Sequence, residues 1–225
     1  IFISNGGVSE VALVWAQTDR ELQHKGITCF IVERGTMGFT VGAEEKKLGI
    51  RGSNTTELHF ENCRVSKDNQ LGALGEGFKI AMQTLDGGRI GIAAQSLGIG
   101  QACIDASVKY SHERQVFGKP LSEIQTVQFK IADMVTEVQA SRLLTLYAAW
   151  MKDQGVRFSR EAAMAKLHAS EAANFAADMA VQIHGGYGYL RDFPVERLYR
   201  DARITEIYEG TSEIQRIVIS NAALR

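Results

Sequence analysis

The period of the apolar pattern changes once along this chain, and that change limits the possible folds more than any other feature. From Ile1 to about Val65, short runs rich in β-branched and aromatic residues alternate with turns: Val11 to Trp15, Ile27 to Val32, Phe39 to Val41 and Thr56 to Phe60. In the last run Thr56, Leu58 and Phe60 alternate with Glu57, His59 and Glu61, the pattern of a strand with one wet face. Asn5-Gly6-Gly7 and Arg51-Gly52-Ser53-Asn54 are turn signals between such runs. A small antiparallel sheet or barrel is expected here.

After a polar, glycine-containing crossover from Val65 to Gly77 the period lengthens. Phe78 to Ser111 predicts a long helix, weakened by Gly87 and Gly88 in its interior. Ile124, Val127, Ile131, Met134, Val135 and Val138 recur at three- and four-residue steps and mark one face of a second helix. Ser122 to Gln125 is a possible capping box at its start, and Asp153-Gln154-Gly155 a stop. Such a helix of about 30 residues spans roughly 45 Å. Ser159 opens a third, alanine-rich helix through Ala163, Leu167, Ala173, Ala177 and Ala180 to Ile183. Pro194 suits the first turn of a short helix, and Ser212 to Gln215 resembles a second capping box before a last helix ending at Arg225. The expected fold is α+β and mainly α: a partial antiparallel β-domain over residues 1–70, then an antiparallel bundle of four principal helices over 71–225.

Composition removes several function classes. The net charge is −1 with no long charged run, which gives no support for nucleic-acid binding or an electrostatic membrane anchor. No apolar run approaches the roughly 20 residues needed to cross a bilayer, and the opening Ile1-Phe2-Ile3-Ser4 reads as a strand, not a targeting peptide. Cys29, Cys63 and Cys103 are widely spaced and suit packing in a reducing compartment better than disulfides or a metal site. No strand–Gly-x-Gly-x-x-Gly–helix element is present; Gly72 to Gly77 is glycine-rich but follows a turn, so a Rossmann unit is not expected.

The chemistry concentrates near the C-terminus. In Tyr208-Glu209-Gly210-Thr211 an acid stands between an aromatic ring and a glycine, just ahead of a helix. A partly dried carboxylate there is a stronger base toward a weak carbon acid; a helix-start acid compensating the dipole is the plainer alternative. Upstream lie Gln182-Ile183-His184-Gly185-Gly186-Tyr187-Gly188-Tyr189, then Arg200-Asp201-Ala202-Arg203, and before them Arg114-Gln115-Val116-Phe117-Gly118-Lys119-Pro120. In that order these strings resemble the C-terminal half of the acyl-CoA dehydrogenases, flavoenzymes that oxidise acyl-CoA thioesters. The resemblance runs from Phe2-Ile3-Ser4-Asn5-Gly6 to the last helix, and Leu85 to Ala94 looks most like the short-chain, butyryl-type branch. By the family's layout the chain is expected to comprise the end of the middle β-domain and the whole helical bundle, without the N-terminal helical domain and the first flavin-contacting loop.

The resemblance implies α,β-dehydrogenation of an acyl-CoA to a trans-2-enoyl-CoA, with Glu209 as the base for the α-proton and FAD as hydride acceptor. It assigns Tyr208 and Gly210, and Asp86, Gly87, Gly88 and Arg89, to the thioester. Two glycines inside a helix cost about 1–2 kcal/mol relative to alanine, which close packing or ligand approach should repay, although Asp86 and Arg89 also suit an ordinary i,i+3 pair. It assigns to FAD the flavin-side Phe2 and Ser4, the pyrophosphate-side Arg114 with Phe117, the adenine-side Gln125, the Gln182, Ile183, His184, Gly185 and Gly186 segment, and Thr211, Ser212 and Glu213. Each has a plainer alternative: a surface ion pair for Arg114, core packing for Phe117, capping for Gln125 and Thr211, a helix C-cap for Gly185 or Gly186. His184 is expected to be neither catalytic nor a metal ligand, and no metal is expected. Further implied are a homotetramer sharing FAD sites between subunits, electron-transferring flavoprotein as acceptor, and a bacterial cytoplasmic or mitochondrial matrix location. The rival readings are a non-catalytic oligomerisation scaffold and a related acyl-CoA oxidase.

Overall fold

A computed structural model describes residues 1–224; Arg225, the expected end of the last helix, lies outside the described residues. The chain forms two compact units, Ile1–Leu85 and Asp86–Arg225.

The first unit carries two three-stranded antiparallel sheets. In one, β5 (Thr55–Phe60) lies between β1 (Ile3–Ser4) and β4 (Phe39–Glu44); in the other, β3 (Ile27–Glu33) lies between β2 (Val11–Gln17) and β6 (Gln70–Leu71). The pair β2–β3 runs in unbroken register from Val11 opposite Glu33 to Gln17 opposite Ile27. Its connection requires glycine: a methyl group on Gly26 would lie 1.8 Å from the Asp19 carbonyl oxygen. The alternation expected for β5 is not found. Thr55 and Thr56 are buried while His59 and Phe60 are exposed, so burial falls along the strand instead of switching between faces. The cause is the opening segment, whose Asn5 amide bonds the Asn54 carbonyl and whose Gly6 packs on Thr56. At the other end Phe60 stacks on Phe39 with centroids 4.8 Å apart.

The second unit is helical. Five α-helices occur among the described residues: α1 (Gly77–Glu113), in which the boundary between units falls, α2 (Gln125–Asp153), α3 (Ser159–His184), α4 (Pro194–Ala202) and α5 (Ser212–Ala223). The alanine-rich α3 is central and packs on α2, α4 and α5. Small side chains allow close approach of backbones, and the core is built from Ala176, Ala177 and Ala180 against Cys103, Met134 and Val138. Gly100 of α1 extends the same device, since a methyl group there would lie 2.8 Å from Val138. Pro194 stands at the first turn of α4 as expected, and Gly155 (φ 68°) follows the end of α2.

Both expected capping boxes are corrected. Ser122 sits inside a 3₁₀ turn, Leu121–Glu123, and α2 starts after Ile124 with no side-chain cap. The short hairpin β7 (Gln115–Val116) and β8 (Lys119–Pro120) delivers the chain there, the Leu121 amide bonds the Arg114 carbonyl, and the tight turn leaves Ser122 upstream of the helix. At α5 the cap is Thr211, whose hydroxyl accepts from the Ile214 amide. Ser212 is already helical, because the left-handed Gly210 turns the chain one residue earlier.

Candidate active site

Glu209 reaches its position through an unusual backbone. The 3₁₀ turn Arg203–Glu206 follows α4, and then Glu209 (φ 54°) and Gly210 (φ 88°) both take left-handed conformations before Thr211 caps α5. A non-glycine residue in that region is strained by about 1 kcal/mol or more and persists only when neighbours fix it. Here the neighbours are two buried side chains. Gln215 Nε2 donates to the Glu209 carbonyl (3.2 Å) and to the Gly210 carbonyl (2.9 Å). Lys166 Nζ donates to the Gly210 carbonyl at 2.7 Å.

The half-buried Glu209 carboxylate lies directly on the backbone of α1. A methyl group on Gly88 would stand 2.4 Å from Glu209 Oε2, so Gly88 is what opens this space. Next to it, Arg89 is 6% exposed, donates through Nη1 to Asp86 Oδ1 at 2.6 Å, and leaves its buried Nε without a partner among the described residues. The Ser159 hydroxyl donates to the other Asp86 oxygen. Both oxygens of Asp86 are thus engaged within the chain, and Asp86 orients Arg89. The Tyr208 hydroxyl donates to Gln95 Oε1, and burial, helped by the Glu209 charge, raises the phenol's pKa against the lowering effect of that hydrogen bond. The Thr211 hydroxyl, bonded to the Glu213 carboxylate, holds the latter below the usual range.

Lys166 was not singled out by the sequence reading. It is fully buried on α3, and burial lowers its pKa to about 8; Glu206, Glu209 and Glu213 act to raise it, and Arg89 lowers it further. The available signal was a lysine four residues after Ala162 and three before Ala169, on the apolar stripe itself.

A second set of expected residues gathers at the other end of α1. Tyr110, Arg114, Val116, Ile183, Gly185 and Tyr187 line an open groove of about 400 Å³. The Arg114 guanidinium lies over the Tyr187 ring, 5.5 Å from its centroid. Gly185 (φ 61°) ends α3, and His184 beside it is buried, bonded through Nδ1 to the Ala180 carbonyl at 2.8 Å and stacked on Tyr110. Burial lowers the pKa of His184, which favours the neutral ring. Phe117 and Gly118 (φ 51° and 77°) form the tip of the β7–β8 hairpin, and the Phe117 ring is 97% exposed. Gln125 opens α2 and Gln182 lies in the last turn of α3, both exposed and outside the lining of this groove. Phe2 (φ 58°) and Ser4 are exposed residues at the start of the first unit.

The sequence has counterparts among known proteins. Residues 75–224 match the acyl-CoA dehydrogenase C-terminal domain, and residues 1–63 match the middle domain of the same proteins. The chain belongs to the acyl-CoA dehydrogenase family. It is 57% identical over 224 residues to the mitochondrial short-chain specific acyl-CoA dehydrogenase of Homo sapiens, covering 100% of this chain and 54% of that protein. Against the acryloyl-CoA reductase (NADH) of Anaerotignum propionicum the identity is 54%, covering 100% of this chain and 57% of the relative. The butyryl-CoA dehydrogenase structure from Megasphaera elsdenii superposes with a TM-score of 0.99 at 51% identity, over 100% of this chain and 59% of the other. The chain thus spans between half and two thirds of the length of these relatives.

Proposed function

We propose that this chain carries the base and much of the flavin cradle of a short-chain acyl-CoA dehydrogenase, with Glu209 removing the α-proton of a bound thioester. The observation that carries this reading is the Glu209 carboxylate lying against the bare backbone of Gly88, in a space that a methyl group would fill. An α-proton of a thioester is feebly acidic, so the base must be fixed, partly dried and close. The left-handed turn, Gln215 and Lys166 fix it. Tyr208, tied to Gln95, walls one side. In the family reading the Glu209 backbone amide is the chain's own donor to the thioester carbonyl.

The residues present fit FAD. Arg114, held flat by Tyr187, suits a pyrophosphate. The exposed, backbone-strained Phe117 suits an aromatic surface that a ligand covers. Bound FAD would supply the hydride acceptor for the reaction. The family reading assigns Thr211 and Ser212 to the flavin, and the buried Ser212 Oγ, which has no partner among the described residues, supports that. Gly88 and Arg114 stand 26 residues apart across a helix continuous to Glu113, about 39 Å at 1.5 Å per residue. That is longer than one dinucleotide, so a site using both clusters draws Arg114 from a second copy of the chain. The apolar stripe on α2 that remains exposed, Phe129, Leu143, Leu146 and Trp150, supplies a surface for such an assembly. Electron-transferring flavoprotein is the acceptor that the family reading implies.

The purified protein is expected to be yellow, and to form a trans-2-enoyl-CoA from butyryl-CoA in amounts matching the absorbance lost from the flavin band. Colour without enoyl product contradicts the assigned reaction. Arg114→Ala is expected to weaken flavin retention at least tenfold by removing a charge-assisted contact worth about 1.5–3 kcal/mol, measured by the concentration of added FAD that restores the band.

A further inference from the structure

Among the described residues, the largest side chain with no exposed surface is a lysine, Lys166. An ammonium with no exposed surface is far from its preferred solvent. A hydrocarbon of the same length would fill that volume without loss of hydration. Its ammonium donates to the Gly210 carbonyl at 2.7 Å. Around it stand Glu206 from the 3₁₀ turn, Glu209 from the left-handed turn, Glu213 from α5 and Arg89 from α1. The lysine is therefore placed where it reaches the peptide that follows the proposed base, from a separate helix.

We propose that Lys166 is a positioning residue for Glu209: its ammonium clamps the Gly210 carbonyl, fixes the strained turn that carries the carboxylate, and places a removable positive charge beside the site. This rests on the reading of Glu209 as the base. Gln215 holds the same turn with a neutral amide, so it cannot supply the charge. Lys166 supplies it only while protonated, and its environment brings its titration to about 8. As pH rises through that value the nitrogen still donates a hydrogen bond, but the cation beside the carboxylate is gone.

Flavin reduction by butyryl-CoA, followed in a single turnover from pH 7 to 9.5, tests this in the flavin-loaded wild type, Lys166→Met, Lys166→Arg and Glu209→Gln. The wild-type rate is expected to change through an inflection near pH 8, because losing the ammonium charge weakens the bond to the Gly210 carbonyl and alters the basicity of Glu209. Lys166→Met should be slower at pH 7 by about 10- to 100-fold, the factor for losing one hydrogen bond to a charged group, and should lack the inflection. Lys166→Arg should recover part of the rate and also lack the inflection, because a guanidinium stays charged throughout. An NMR titration of the Lys166 side-chain nitrogen in wild type gives an independent reading, expected near the same pH. If Glu209→Gln is inactive while Lys166→Met keeps the wild-type rate and inflection, the lysine has no positioning role. A slow Lys166→Met that keeps the inflection overturns it equally, since only packing was lost. A wild-type rate in Glu209→Gln overturns the base assignment and this proposal together.

Discussion

Glu209→Gln is expected to stop the reduction of bound flavin by butyryl-CoA while leaving the flavin bound. A positioned general base contributes about 10²- to 10⁴-fold, and glutamine at the same position keeps the side chain's size but cannot accept the proton. The fold should be unaffected. The bonds that hold the left-handed turn run to the carbonyls of Glu209 and Gly210, not to the carboxylate. Loss of rate with an unchanged visible spectrum and an unchanged melting temperature is therefore the expected combination.

Gly88→Ala is expected to move stability and activity in opposite directions. In the interior of α1 alanine is favoured over glycine by about 1 kcal/mol, which in a protein of this size raises the melting temperature by about 2–4 °C. The new methyl group, however, would stand 2.4 Å from Glu209 Oε2. The carboxylate is the free end of a side chain, so it can move aside, and the helix need not bend. Displacement by about 1 Å is enough to cost around 100-fold in rate. Gly91→Ala is the control: also inside α1, it has no described atom within 4 Å of an added methyl group. It should gain similar stability with little loss of activity. A Gly88→Ala protein that is as active as wild type would mean the base does not work from the position seen here.

Lys166 adds an opposing stability effect with a defined sign. Its pKa falls from 10.5 to about 8 in the folded chain, where it is fully buried, equivalent to a penalty of about 3 kcal/mol on the charged form. Between those values the unfolded chain binds more protons than the folded one, so stability rises with pH. The penalty is fully present below pH 8 and is relieved toward pH 10.5. The difference in unfolding free energy between wild type and Lys166→Met should therefore shift in favour of wild type as pH is raised from 7 to 10, as read by denaturant melts. A buried cation that destabilises the fold at neutral pH is the kind of residue kept for a site.

Much of this was legible in the chain because period and turn chemistry act locally. The change from two-residue to longer spacing separated the strands from the helices, and Pro194, Gly155 and the alanines of α3 fall where their local preferences put them. What stayed hidden depends on contacts distant in sequence. Ser122 and Ser212 follow capping patterns, yet the β7–β8 hairpin and the Gly210 turn set where α2 and α5 begin. Asp86 and Arg89 read as a surface pair or as ligand contacts. Only the fold brings Ser159, 73 residues on, to the second Asp86 oxygen. The glycine pair before Arg89 signals close packing, and for Gly88 the packed group, the Glu209 side chain, lies 121 positions away. Lys166 carried a cue in its place on an apolar stripe, but its partner, the Gly210 carbonyl, has no side chain to advertise the contact.

The most direct test of Glu209 as the base is anaerobic mixing of butyryl-CoA with flavin-loaded wild type and Glu209→Gln, followed in the visible flavin band. Rapid bleaching of the wild type, with the variant remaining yellow over the same interval, is the expected result. Bleaching of both at the same rate would contradict it, because the α-proton would then leave without that carboxylate.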